Sequence, residues 1–109
     1  MVKILIGCVT YDGQKPFLNE LLKSIHELEI EKDALFVDNS QTDDYFNLLK
    51  EKNLNVIKDS GKGRIERIIS GRNIIREYFL SGDWDYLFFL DTDVIVPKNT
   101  VQELSVLTE

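Results

Sequence analysis

A single cysteine, Cys8, stands in the 109 residues, so no internal disulfide can form; a stapled secreted scaffold is excluded and a reducing, cytoplasmic setting is expected. Histidine is as scarce, with His26 alone. A single imidazole argues against a zinc centre, and with His26 in the first helical stretch and Cys8 in the first strand no Ser-His-Asp or Cys-His relay is expected at the carboxyl ends of the strands. Two prolines and six glycines exclude a collagen-like or low-complexity chain. Basic residues are outnumbered, 13 Lys and Arg against 19 Asp and Glu, for a net charge of −6. That balance argues against nucleic acid as a partner and gives no electrostatic hold on an anionic membrane. Apolar runs are short as well. Ile4–Val9 has Lys3 ahead of it and Asp12 close behind, and reads as a strand rather than a signal or a membrane span.

What is present is the composition of a globular domain: 43% hydrophobic, 29% charged and 10% aromatic. A chain of this length buries roughly 65% of its unfolded surface, enough for one core but not two. The expected domain is therefore residues 1–109 as one unit, without internal repeat or linker. Charge is unevenly placed. Between Ile57 and Glu77 six bases face three acids, making that stretch +3 and the remainder −9. A small anion held by a local basic segment suits this pattern better than a polyanion.

Periodicity divides the chain into alternating strands and helices. Ile4 to Val9 is a buried strand closed by Thr10-Tyr11-Asp12-Gly13. Pro16 opens a helix whose apolar side is Phe17, Leu18, Leu21, Leu22, Ile25 and Leu28. Ala34 to Val37 is a second strand ending in Asp38-Asn39-Ser40, and Thr42-Asp43-Asp44 supplies capping oxygens for a helix through Tyr45, Leu48 and Leu49. Asn55 to Lys58 is a weaker strand. Ile65, Ile68, Ile69, Ile75 and Phe79 mark a third helix in which Gly71 is a soft spot. Tyr86 to Leu90 is the most apolar strand and delivers Asp91-Thr92-Asp93; Thr100 with Glu103 forms a capping box for a last helix. The order β-α-β-α-β-α-β-α implies an α/β fold, a Rossmann-like open parallel sheet with helices on both faces.

In such sheets ligands bind outside the carboxyl ends of the strands. That rim collects Thr10, Tyr11 and Asp12; Asp38, Asn39 and Ser40; Asp59 to Gly63; and Asp91 with Asp93. The last two, if the backbone stays extended, leave the same side of the strand. Two close carboxylates need a cation to ionise together, and Mg²⁺ or Mn²⁺ bound by them and by a substrate diphosphate meets that need. Asp83 and Asp85 have the same spacing but lie at the amino end of the strand, roughly 17 Å away, so a structural role is expected there, with Trp84 as a core anchor. Asp43 and Asp44 complement a helix dipole. Cys8 is read as core filler, His26 as a helix residue and Lys62 as part of a turn without P-loop spacing.

The run Phe89-Leu90-Asp91-Thr92-Asp93, preceded by Gly71-Arg72-Asn73, by Val37-Asp38-Asn39-Ser40 and by Val9-Thr10-Tyr11, resembles the nucleotide-sugar-binding half of GT-A fold glycosyltransferases, particularly family 2. The resemblance spans essentially the whole chain. It implies that Thr10 and Tyr11 line the nucleoside pocket, that Asp38 hydrogen-bonds the base, and that Arg72 and Asn73 lie near the nucleotide. It makes Asp91-Thr92-Asp93 the DxD motif, Asp91 approaching ribose or sugar and Asp93 ligating the metal. The implied ligand is a nucleotide-diphospho-sugar, a UDP-sugar by preference. The planar fork of Arg72 suits two diphosphate oxygens. Only 16 residues follow Asp93, where the family continues into an acceptor-binding half, so that half and its general base are expected to be absent from this chain. A peripheral membrane acceptor is compatible with the resemblance, although no membrane segment is read here.

Two other readings stand beside it. Leu87-Phe88-Phe89-Leu90-Asp91-Thr92-Asp93-Val94-Ile95 also resembles the first motif of haloacid-dehalogenase-type phosphatases, but that motif normally sits on the first strand of its domain. A non-catalytic nucleotide-binding or interaction module is the second alternative. The resemblance further implies strand order 3-2-1-4, with the apolar strand 86–90 at an edge. An apolar edge invites pairing, so a homodimer or other association through it is expected.

Overall fold

The computed structural model describes residues 2–59 and 64–90, with 64–68 described as backbone only. The expected helix at Thr100–Glu103 and the Asp91–Asp93 pair lie outside the described residues. Within them the chain runs β1 (Lys3–Thr10), a 3₁₀ turn (Asp12–Phe17), α1 (Leu18–His26), β2 (Glu31–Asp38), α2 (Asp44–Glu51), β3 (Val56–Lys58), α3 (Arg64–Leu80) and β4 (Tyr86–Phe89). The strands form one sheet in the order β3-β2-β1-β4, every pairing parallel. The α/β open parallel sheet and its strand order agree with the sequence reading.

The unbroken apolar run of β1 follows from its interior position. Alternate side chains go to opposite faces of a strand. Ile4, Ile6 and Cys8 join Leu18, Leu21, Ile25, Phe36, Tyr45 and Leu49 in the core beneath α1 and α2. Leu5, Leu35 and Val37 meet Ile75 of α3 on the other face. Both faces being covered, no polar side chain fits between Ile4 and Val9. The approach of α3 is close: a Cβ on Gly71 would lie 2.9 Å from Val9 Cγ2, and one on Gly7 would collide with the Ile75 side chain. The expected soft spot at Gly71 is thus a packing contact.

Local differences have local causes. The first helix begins as a 3₁₀ turn that holds Pro16, opened by the Gln14 N–H donating to Tyr11 O at 3.0 Å, and Phe17 is left 45% exposed instead of facing the core. Leu28 is buried, yet it follows the end of α1. β2 starts at Glu31 because Lys3 to Leu5 of β1 recruit Glu31 to Asp33 as ladder partners. The capping expected from Thr42-Asp43-Asp44 is not made by a side chain of the cap residue; Asp43 turns its carboxylate toward Lys58 instead, at 3.9 Å. α2 ends in a Schellman turn: Asn53, with φ 59°, donates to Lys50 O at 3.0 Å and Leu54 N–H to Leu49 O at 3.2 Å.

The amino end of the sheet is tied by its own polar cluster. Lys3 N–H donates to Asp85 Oδ2 at 2.8 Å, and Trp84 Nε1 donates to Asp33 Oδ2 at 2.9 Å. The Asp33 carboxylate, 3.4 Å from Lys3 Nζ, raises the lysine pKa. Trp84 is half-buried against Tyr78, ring centroids 5.3 Å apart. The Asp83–Asp85 segment therefore serves structure, at the end of the sheet opposite the rim. None of the described helices is long and apolar enough to cross a membrane.

Candidate functional site

Parallel pairing in register brings the carboxyl ends of β1 and β2 level, Thr10 opposite Asp38, and sets Lys58 of β3 opposite Asp38 on its other side. The segments leaving these strands are laced together. Asn39 N–H donates to Thr10 O at 2.8 Å, Asp12 N–H to Ser40 Oγ at 2.8 Å, and Asp59 N–H to Asp38 O at 2.9 Å. Thr10 Oγ1 shares a hydrogen bond of 3.2 Å with the Tyr45 hydroxyl rising from α2. Burial pushes the Tyr45 phenol above its ordinary pKa, partly opposed by that bond to Thr10. Tyr11 is 49% exposed at the turn, its ring lying against Gly13, where an added Cβ would sit 3.1 Å from Tyr11 Cζ.

Asp38 is fully buried. Its Oδ1 accepts the Ser40 N–H at 2.9 Å, and its Oδ2 accepts Lys58 Nζ at 3.1 Å. The same ammonium donates to Ser40 O and Thr42 O, both at 2.6 Å. In this arrangement Asp38 is an internal brace of the loop rather than an open side chain on the rim. The sequence alone marks neither Lys58 nor Tyr45 as a site residue. Lys58 was one base among several, and Tyr45 was hidden in the apolar periodicity of α2; only their nearness to the strand ends marked them.

Arg72 and Asn73 are exposed on α3. The Arg72 guanidinium stands 5.5 Å from the Phe89 ring centroid, a cation–π distance. Phe89 is level with Gly7, and Leu90 N–H donates to Gly7 O at 2.9 Å. This leads the chain toward the same carboxyl end as Thr10. The structure thus gathers Thr10, Tyr11 and Asp38 at the β1–β2 end and sets Arg72 beside β4, while Asp91 and Asp93 lie outside the described residues. Among the described residues no group of three or more His, Cys, Asp or Glu side chains is arranged to hold a metal ion. A groove lined by Leu22, Lys23, Ile25, His26, Lys32 and Leu54 among others contains none of the candidate residues.

No protein-family model matches the sequence, and no curated protein does. Solved structures match its fold. The crystal structure of S. aureus TarS matches 96% of this chain at 21% identity and TM-score 0.69. The TarS 1-349 fragment matches the same share at 20% identity and TM-score 0.70. That fragment in complex with UDP matches at 21% identity and TM-score 0.69. The fold is accordingly the Rossmann-like α/β arrangement of GT-A type. The chain spans 19% of TarS and 32% of its 1-349 fragment.

Proposed function

We propose that this chain is the donor-binding part of a glycosyltransferase, taking a nucleotide-diphospho-sugar with its base end at the Thr10–Tyr11 and Asp38–Ser40 segments and its diphosphate toward Arg72 and the Asp91-Thr92-Asp93 run. The observation that carries it is the laced rim of Thr10, Asp38 and Ser40 at the strand ends of a fold whose TarS counterpart was solved with UDP. UDP is therefore the nucleotide of choice. The half-exposed ring of Tyr11 offers a stacking face for a base. Asp38 acts through the loop it braces. Arg72, held at the Phe89 ring, supplies two parallel donors to diphosphate oxygens. Mg²⁺ or Mn²⁺, held by Asp93 with Asp91 beside it, would neutralise charge on the departing diphosphate. Transfer to an acceptor, a membrane-peripheral one included, needs an acceptor site and a general base in addition to these donor-binding residues.

Calorimetric titration with UDP and a panel of nucleotide-sugars, with and without Mn²⁺, tests the reading. The expected result is Mn²⁺-dependent binding of a UDP compound that Asp93→Ala weakens by more than about tenfold while Asp83→Ala leaves it unchanged. Equal affinities for both variants and the parent would sink the assignment. Phosphate release from a simple phosphomonoester would favour phosphatase chemistry instead.

A further inference from the structure

We infer that Lys58 is a positioning residue for the nucleotide site, one that shapes the β2–α2 loop from behind. An ammonium has three N–H donors. Here three oxygens lie within hydrogen-bonding distance of Nζ: Ser40 O at 2.6 Å, Thr42 O at 2.6 Å and Asp38 Oδ2 at 3.1 Å. Asp43 Oδ1 at 3.9 Å adds only charge. The side chain is 22% exposed and Asp38 is sealed, so the group sits where hydrogen bonds to a charged donor count for most. Two carbonyls two residues apart are turned onto one point, which fixes the curl of the loop between them.

The curl is passed on. Ser40 is fastened on three sides: its N–H to Asp38, its carbonyl to Lys58 and its Oγ to the Asp12 N–H. Lys58 on β3 thereby holds, through Ser40 and the Asp12 N–H, the turn that follows β1 and carries Tyr11. Substitution at Lys58 should be felt at the nucleoside without Lys58 touching it. Arginine is no conservative replacement, because its planar fork does not converge three donors on one small pocket.

This inference rests on the proposed nucleotide-binding role, and the test separates the two. Titrations of UDP and uridine are run on the parent chain, Lys58→Met and the double variant Asp38→Asn/Lys58→Met, together with amide hydrogen exchange of residues 40–44. Lys58→Met should weaken UDP and uridine by the same factor, about tenfold or more, and raise exchange in 40–44. The double variant removes the stranded buried carboxylate, so its melting temperature should recover while affinity and exchange protection do not. A double variant that binds as the parent does would overturn the inference, leaving Lys58 a mere counter-charge. A loss confined to UDP would also overturn it, making Lys58 a phosphate contact. If the parent binds neither ligand, the functional reading fails, and unchanged exchange of 40–44 in Lys58→Met would by itself refute the positioning role.

Discussion

At the residue scale, small groups at the helix–sheet contact decide more than their propensities suggest. Gly71 in the middle of α3 costs about 1 kcal/mol relative to alanine in helix propensity. Its Cβ would nevertheless meet Val9 at 2.9 and 3.1 Å and Val37 at 3.6 Å, and the branched valine is stiff at χ1. Overpacking of about 1–3 kcal/mol outweighs the propensity gain. Gly71→Ala is thus expected to lower the melting temperature, and a rise would disprove the tight contact. Tyr45 gives a second residue-scale test. Tyr45→Phe removes the bond to Thr10 and should cost about 1 kcal/mol at neutral pH. Because burial raises the phenol pKa, the tyrosine's contribution is whole below about pH 10 and declines as the pH rises past it. The stability gap between parent and Tyr45→Phe should therefore narrow in thermal melts at alkaline pH; a constant gap from pH 8 to 11 would contradict the assigned burial.

At the scale of elements, the turn after α2 is the clearest place to gain stability. Asn53 holds φ 59° within a complete Schellman pattern, so Asn53→Gly should stabilise by several tenths of a kcal/mol and Asn53→Ala should destabilise by about 1 kcal/mol, measured by urea denaturation. Elements whose signal is local were legible in the sequence. The apolar run of β1, the period of α1 and the run of β4 each reflect burial that their own residues record. The start of β2 was not, since Glu31-Lys32-Asp33 join the sheet only because β1 offers ladder partners across the fold. The 3₁₀ opening of the first helix is not legible for a different, local reason: Pro16 is compatible with either kind of helix. At the site, Thr10, Tyr11 and Asp38 could be placed on one rim from strand ends alone. The grip of Lys58 on Asp38 could not, because it depends on the register of β3 against β2.

At the scale of the whole molecule, β4 is one of the two edge strands of the sheet among the described residues, β3 being the other, and Phe89 on β4 is 42% exposed. Phe88 packs partly against the core beneath α1 and α2, so Phe89→Lys is the cleaner probe of the expected association. The parent should scatter light as a dimer or larger species at high micromolar concentration, and Phe89→Lys should shift it toward monomer; a monodisperse parental monomer would refute the association. The interior place of β1 also bears on how the chain is made. β1 leaves the ribosome before either neighbour and gains β2 early, but its other partner waits for Tyr86 to Phe89. At about 5–20 residues per second, that wait is roughly 4–16 s. Throughout it a nascent chain carries an apolar strand with one side unpaired, so a holdase chaperone engaged during synthesis should release only after β4 has emerged.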